Sequence, residues 1–237
     1  MKKGNLVSTL ALVLSLVAIT MCTLCCLSKE KKIAEVLSKN PELVIDALQN
    51  YEKVAMEKQL KALEDSIKNN ADVLYNDASS PFIGDKNSKA VLVVFYDYSC
   101  GYCHRLYPTI KELSDRNPDA KFVFKPLMFL GPISEYAAKA VMAANLQGKF
   151  AELNDALFGY EGQLTEEKID ELAGKVGVNV EKYKADLNSE NVGAVLTENS
   201  VLASALQVQG VPTVILGNKV VQSFEPRDLQ SAIDALK

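Results

Sequence analysis

The chain is short of the side chains that most often build metal centres and disulfide scaffolds. Its 237 residues include one histidine, His104, and five cysteines, of which Cys22, Cys25 and Cys26 lie in an apolar leader. Cys100 and Cys103 are therefore alone in the body of the protein. A small exported domain stapled by disulfides would need several widely spaced pairs, whereas two cysteines separated by two residues close a tiny ring that stabilises little and suits redox cycling. A mononuclear zinc site built on the same half-motif would need two further ligands, and one adjacent histidine does not supply them. Positive charge is not in excess either: 26 lysines and arginines against 30 acids, a net charge of −4, give no basic patch for nucleic acid. No metal and no resident cofactor is expected.

Long apolar runs are also scarce. Leu6 to Leu27 is the one that stands out, inside a charge-free stretch from Gly4 to Ser28 that follows Lys2 and Lys3. It meets the roughly 20 residues needed to span a bilayer, so residues 1–28 read as an export signal, cleaved or retained. The best cleavage pair, Ala18 with Thr20, is poor, which favours a retained anchor. Met21 stands where a lipoprotein signal carries a small residue before its cysteine, and the three leader cysteines read as small hydrophobes. Lys29, Lys31 and Lys32 on the far side blunt the charge asymmetry that would set orientation.

Residues 29–70 are rich in lysine and glutamate and read as a helical arm. Asn40-Pro41 looks like an N-cap and first helical position, and Val44, Leu48, Tyr51, Leu60, Leu63 and Ile67 recur at helical spacing. Such a helix reads as folded back onto its own domain, as a frayed spacer from the membrane, or as packed on a second copy of the chain. Residues 71–89, with Asn76, Asp77, Ser79, Ser80, Pro81 and Gly84, read as a turn-rich linker. From residue 90 the pattern is α/β. Ala90–Phe95 and Lys121–Lys125 read as buried strands around a helix carrying Leu106, Ile110 and Leu113. Five helical segments follow within an insertion spanning about 127–208, Thr165 and Asn179 capping two of them. A hairpin, Thr213–Leu216 with Val220–Phe224, and a helix from Pro226 to Leu236 close the chain.

The chemistry concentrates at Cys100-Gly101-Tyr102-Cys103. A strand-to-helix turn there aims backbone N–H groups and the positive end of a helix dipole at the first sulfur, favouring its thiolate. Cys100 is then expected to be the exposed attacking sulfur, and Cys103, one turn on, the resolving sulfur. Pro108 inside the helix should kink it. Gly210-Val211-Pro212-Thr213 precedes the hairpin, and the base rate for X-Pro bonds would make Pro212 trans.

Together, the CxxC, Pro108 five residues after it and Val211-Pro212 before the last hairpin resemble the thioredoxin superfamily, and the helical insertion narrows the likeness to its DsbA-like branch. The resemblance covers about residues 72–237. It implies a thioredoxin fold with an inserted helical domain, a cis Pro212 beside the CxxC, and substrate binding through Val211 and Pro212. Gly101-Tyr102 is similar to the dipeptide of the disulfide isomerase DsbC, Val211 points toward DsbA, and the helical arm resembles that of ScsC-like members. Val94 occupies the strand position where relatives often carry a buried glutamate that assists proton transfer. Asp97 is the nearest acid that could substitute for it, although a turn aspartate, solvated or hydrogen-bonded, is the plainer reading. Gly101, Tyr102 and His104 could tune the couple, His104 also reading as a partly exposed first-turn residue. Tyr96, Tyr98 and Tyr102 read as a shallow apolar surface for unfolded clients, with core packing the equal alternative for Tyr96 and Tyr98.

The expected function is disulfide formation or isomerisation in the periplasm, on cysteine-containing exported proteins and with a membrane redox partner that recycles the couple. A retained leader would tether the enzyme to the inner membrane, and the arm could make it a homo-oligomer. The alternatives are a reductase facing the cytoplasm and a soft-metal-binding or chaperone-like surface protein that uses the cysteines as ligands.

Overall fold

Val91–Tyr96 is buried along almost its whole length, so its alternating residues must satisfy two different cores. In the computed structural model, which describes residues 14–17, 19–21 and 32–237, this segment is strand β2 of a five-stranded sheet ordered β1-β3-β2-β4-β5. The other strands are β1 (Phe82–Gly84), β3 (Lys121–Pro126), β4 (Thr213–Leu216) and β5 (Lys219–Val220). β2 runs parallel to β3, with Val93 opposite Val123, and antiparallel to β4, with Val94 opposite Val214. One face sets Leu92, Val94 and Tyr96 against Leu106, Ile110 and Leu113 of the following helix and against the inserted helices. The other sets Val93 and Phe95 against Ile67, Leu74, Leu202 and Leu206.

The helices, in chain order, are α1 (Glu42–Asn69), α2 (Ala71–Tyr75), α3 (Gly101–Arg116), α4 (Pro132–Asn145), α5 (Phe150–Phe158), α6 (Glu166–Lys175), α7 (Val180–Asp186), α8 (Glu190–Ala205) and α9 (Pro226–Asp234). Thr165 and Asn179 cap α6 and α7 as expected, their side chains accepting from the N–H groups of Lys168 and Lys182. α3 continues through Pro108 to Arg116. Asn40 does not act as an N-cap; its amide donates back to the Val36 carbonyl at 2.8 Å, closing the helical stretch 32–39. β5 is shorter than expected because Ser223 turns to the Asp228 carboxylate and prepares the start of α9.

The chain divides into two compact units, residues 1–60 and 61–237. In the first, the described residues are helical except at Asn40 and Pro41, and the apolar positions Val44, Leu48, Tyr51 and Leu60 are exposed. Among the described residues no helix is long and apolar enough to cross a membrane. Cys22, Cys25, Cys26 and most of the leader lie outside the described residues.

Within the second unit, residues 71–89 are not a bare linker: they hold α2 and the edge strand β1, which pairs antiparallel with β3. Two lysines of β3 hold this segment. Lys121 Nζ donates to the Tyr75 carbonyl at 2.6 Å. Lys125 Nζ, fully buried, donates to the Val73 carbonyl at 3.0 Å and to Asp77 Oδ2 at 3.1 Å. Both cations thus meet the C-terminal end of α2, where unpaired carbonyls and the negative dipole end lie. Burial pushes the Asp77 carboxyl up, but hydrogen bonds from Ser79 and Ser80 and the Lys125 charge outweigh it and bring it down to about 2.

Because that value lies below the ordinary 3.8, the stabilisation from Asp77 is complete above about pH 4 and is lost as the pH falls through 2. Asp77→Ala is expected to lower the unfolding free energy by about 3 kcal/mol by leaving the Lys125 charge buried without its counter-ion. Chemical denaturation at neutral and acid pH checks this: the cost should shrink toward pH 2, whereas breaking the exposed Arg116–Glu112 pair should change little at either pH.

Candidate active site

The sheet delivers the cysteines. At the C-terminal end of β2 the chain turns through Asp97, Tyr98 and Ser99, and the Cys100 N–H bonds the Asp97 carbonyl at 3.1 Å. Cys100 is the N-cap of α3 with extended backbone angles, and its carbonyl accepts the His104 N–H at 3.1 Å. The positive end of α3 therefore faces the Cys100 sulfur. Cys103 lies in the first turn, on the face that packs into the core.

Cys100 is less open than expected: it is 6% exposed, against 2% for Cys103. The reason is non-local. The Val211–Pro212 peptide bond is cis, and the Val211 carbonyl accepts the Cys100 S–H at 3.4 Å, covering the sulfur. Burial pushes the Cys103 thiol well up; a backbone hydrogen bond from Asp97 opposes this, while the Cys100 sulfur and the Asp97 charge add to it.

Asp97 is neither solvated nor available. It is fully buried, and its two carboxylate oxygens accept four hydrogen bonds, from Ser99 N at 2.8 Å, Ser134 Oγ at 2.7 Å, Phe129 N at 2.9 Å and Leu130 N at 3.1 Å. It fastens the loop after β3 and the start of α4 to the cysteine turn. His104 is partly buried as expected, but its Nε2 lies 2.7 Å from the Tyr98 carbonyl and its Nδ1 3.2 Å from the Phe158 carbonyl, so the ring ties the turn to α5. Gly101 is not forced by space, since an added Cβ would meet only the tip of Arg105 at 4.0 Å.

Tyr102 is 70% exposed and carries the Arg105 guanidinium 4.2 Å from its ring centroid. With Leu106, Val211, Pro212 and Phe224 the pair lines an open groove of about 420 Å³ beside the cysteines. Tyr96 and Tyr98, by contrast, are core residues. Their hydroxyls meet at 3.1 Å and Tyr98 donates to Asn154 Oδ1 at 2.6 Å, a buried polar cluster in which burial pushes both phenols up.

Sequence reasoning passed over Tyr107, Asn154, Asp155 and Phe158. Tyr107 stacks on Phe158 with ring centroids 4.3 Å apart and donates its hydroxyl to Asp155. The one local signal was that Tyr107 follows Cys103 by four residues and so shares its helix face. The α5 partners are fixed only by tertiary packing.

Three relatives show where this geometry belongs. The DsbA of Pseudomonas aeruginosa, a thiol:disulfide interchange protein, is 32% identical over 152 residues, 61% of this chain and 71% of its own. A Proteus mirabilis ScsC linker-deletion mutant superposes with a TM-score of 0.72 at 27% identity, covering 84% of this chain and 93% of that one. A periplasmic thioredoxin-like protein of Salmonella enterica gives 0.62 at 29% identity, covering 70% and 94%. The chain also matches a Na(+)/H(+) antiporter of Salinispora arenicola at 25% identity over 63% of its own length, but spans only 24% of that protein. The model of the DSBA-like thioredoxin domain matches residues 91–234, and with it the chain belongs to the DsbA-like family of thiol-disulfide oxidoreductases.

Proposed function

We propose that the protein is a thiol-disulfide oxidoreductase that forms or isomerises disulfides in exported proteins outside the cytoplasm. The observation that carries this reading is the stacked arrangement at the start of α3: Cys100 at the N-cap beneath the Val211 carbonyl, with Cys103 buried one turn on. In the oxidising direction a client thiolate attacks Cys100 of the disulfide form, Cys103 leaves, and a second client thiol displaces Cys100. In the isomerising direction reduced Cys100 opens a wrong client disulfide. Cys103 releases the client if no client thiol does so first.

The groove between Tyr102, Pro212 and Phe224 suits an extended client segment, since an aromatic floor accepts many side chains while Arg105 stays at its rim. The apolar leader and a family relative described as periplasmic support a site of action outside the cytoplasm, with a membrane redox partner recycling the couple. The exposed apolar positions of α1, Val44, Leu48 and Tyr51, support self-association through the arm. That arm and the Gly101-Tyr102 dipeptide favour isomerase work.

Cys100→Ser should abolish insulin reduction and the oxidation of a two-cysteine peptide; retention of both activities sinks the assignment. Cys103→Ala should instead accumulate mixed disulfides with clients, visible on non-reducing gels. Iodoacetamide at pH 7.5 should alkylate Cys100 of the reduced protein at least about tenfold faster than Cys103, whose buried thiol stays protonated; equal rates by mass spectrometry would contradict the two roles. Finally, the reduction potential in glutathione buffers, measured with the mass in solution, separates the activities. About −180 mV in an oligomer fits an isomerase, about −120 mV a dedicated oxidant and about −270 mV a reductase.

A further inference from the structure

A client sulfur joined to Cys100 arrives beside Val211, whose carbonyl is 3.4 Å from the Cys100 sulfur. It therefore stands at the head of the groove that Val211 and Pro212 share with Tyr102, Arg105, Leu106 and Phe224. The lining is aromatic and aliphatic apart from the Thr109 hydroxyl and one charge, that of Arg105. This charge is positive in a chain whose net charge is −4. No acid offsets it locally. The first turn of α3 carries none, Glu225 beside Phe224 is not among the lining residues, and Asp97 is buried under four hydrogen bonds. The Arg105 charge and the positive end of α3 thus act in the same sense on whatever enters.

The guanidinium is held in place with its donors unspent. It lies 4.2 Å from the centroid of the exposed Tyr102 ring. Its Nη1 is 4.0 Å from the point where a side chain at Gly101 would begin, so Arg105 folds back along the first turn of α3 toward Cys100. Among the described residues it makes no ion pair and no hydrogen bond. A guanidinium resting on an aromatic face has given up part of its freedom before a partner arrives, and its planar fork fits a carboxylate. The geometry of an extended chain supplies the register. Alternate residues face the same side at intervals of about 7 Å. A client whose cysteine points at Cys100 therefore turns the side chains two residues away toward the same surface.

We infer that Arg105 selects clients by charge: the groove takes an extended segment with Asp or Glu two residues from the cysteine that meets Cys100, the carboxylate accepting from the guanidinium. Apolar side chains of the same segment rest on Tyr102, Leu106 and Phe224. A lysine at the selected position meets like charge and is disfavoured. The selection decides which client cysteine is engaged and leaves the exchange chemistry itself unaltered.

This inference rests on client exchange at Cys100 and on the groove as the client's seat. The test measures, by stopped flow, the second-order rate constants for oxidation of two-cysteine peptides by the oxidised full chain, as wild type, Arg105→Gln and Arg105→Glu. The peptides differ only in carrying Glu, Gln or Lys two residues before or after one cysteine. Comparing the Glu-to-Lys rate ratio across the three proteins cancels the peptides' own thiol reactivity. In wild type this ratio should be about fivefold higher than in Arg105→Gln, within what an exposed ion pair supports. In Arg105→Glu it should fall below the Arg105→Gln value. The wild-type preference should shrink in about 0.5 M salt and vanish when the same residue is moved six positions from the cysteine. Equal ratios in the three proteins overturn the selection. So does a slowing of the variants that is the same for every peptide, the mark of an effect on Cys100 itself, and so does a preference that survives the move to six positions, the mark of net charge alone. In each of these cases exchange persists and the proposed function stands, whereas a wild type that exchanges thiols with no peptide overturns both.

Discussion

Everything at the active site depends on β2 being buried on both faces. A strand with one solvated face could slide or fray by a residue; this one cannot, because a one-residue slip would exchange Leu92, Val94 and Tyr96 with Val93 and Phe95 between two differently shaped cores. Fixing β2 fixes Asp97 at its end, and Asp97, through four hydrogen bonds, fixes the cysteine turn and the loop after β3 together. Cys100 therefore meets the start of α3 and the Val211 carbonyl as rigid neighbours. The same strand places Val94 and Tyr96 directly under Cys103, so the packing that holds the fold also sets the medium around that thiol.

Polar groups in this interior are used to lock elements rather than to solvate them. Lys125, fully buried, closes the end of α2 through Val73 and Asp77, and so attaches the segment before β1 to the far face of the sheet. Asp97 does the corresponding work on the active-site side. Removing either partner would leave a charge or a set of N–H groups without water or protein to satisfy them, which is more costly than never having buried them.

What could be read from the sequence was what local spacing determines. The CxxC at a strand-to-helix turn, the caps Thr165 and Asn179, and the alternation that makes α3 amphipathic each depend on residues a few positions apart. The misses have the opposite character. α2 is five residues long and β1 three, too short for propensity to register against Asn76, Asp77, Ser79 and Ser80; α2 is held by lysines of β3 more than 40 residues away and β1 by its antiparallel ladder with β3. The cover over Cys100 comes from Val211, 111 residues along the chain, so the spacing of the motif could not reveal that the Cys100 sulfur is nearly buried. Tyr107 and Asp155 likewise meet only because α5 docks on α3.

The burial of Cys103 bears on which direction of exchange this site serves. In the proposed exchange, a Cys103 thiol that burial keeps protonated would be slow to displace a client from Cys100, and the mixed disulfide would persist. Persistence is of no use to a reductase, whose turnover ends with that displacement. For an isomerase it is the productive state, because it gives a second cysteine of the client time to attack and leave with a new pairing. Tyr102 strengthens this by lying exposed beside the sulfur with Arg105 on its ring, offering the bound client a surface while it rearranges. Under the proposed isomerase reading, burial that raises the Cys103 thiol and a groove beside Cys100 would both lengthen the time a client spends on the enzyme.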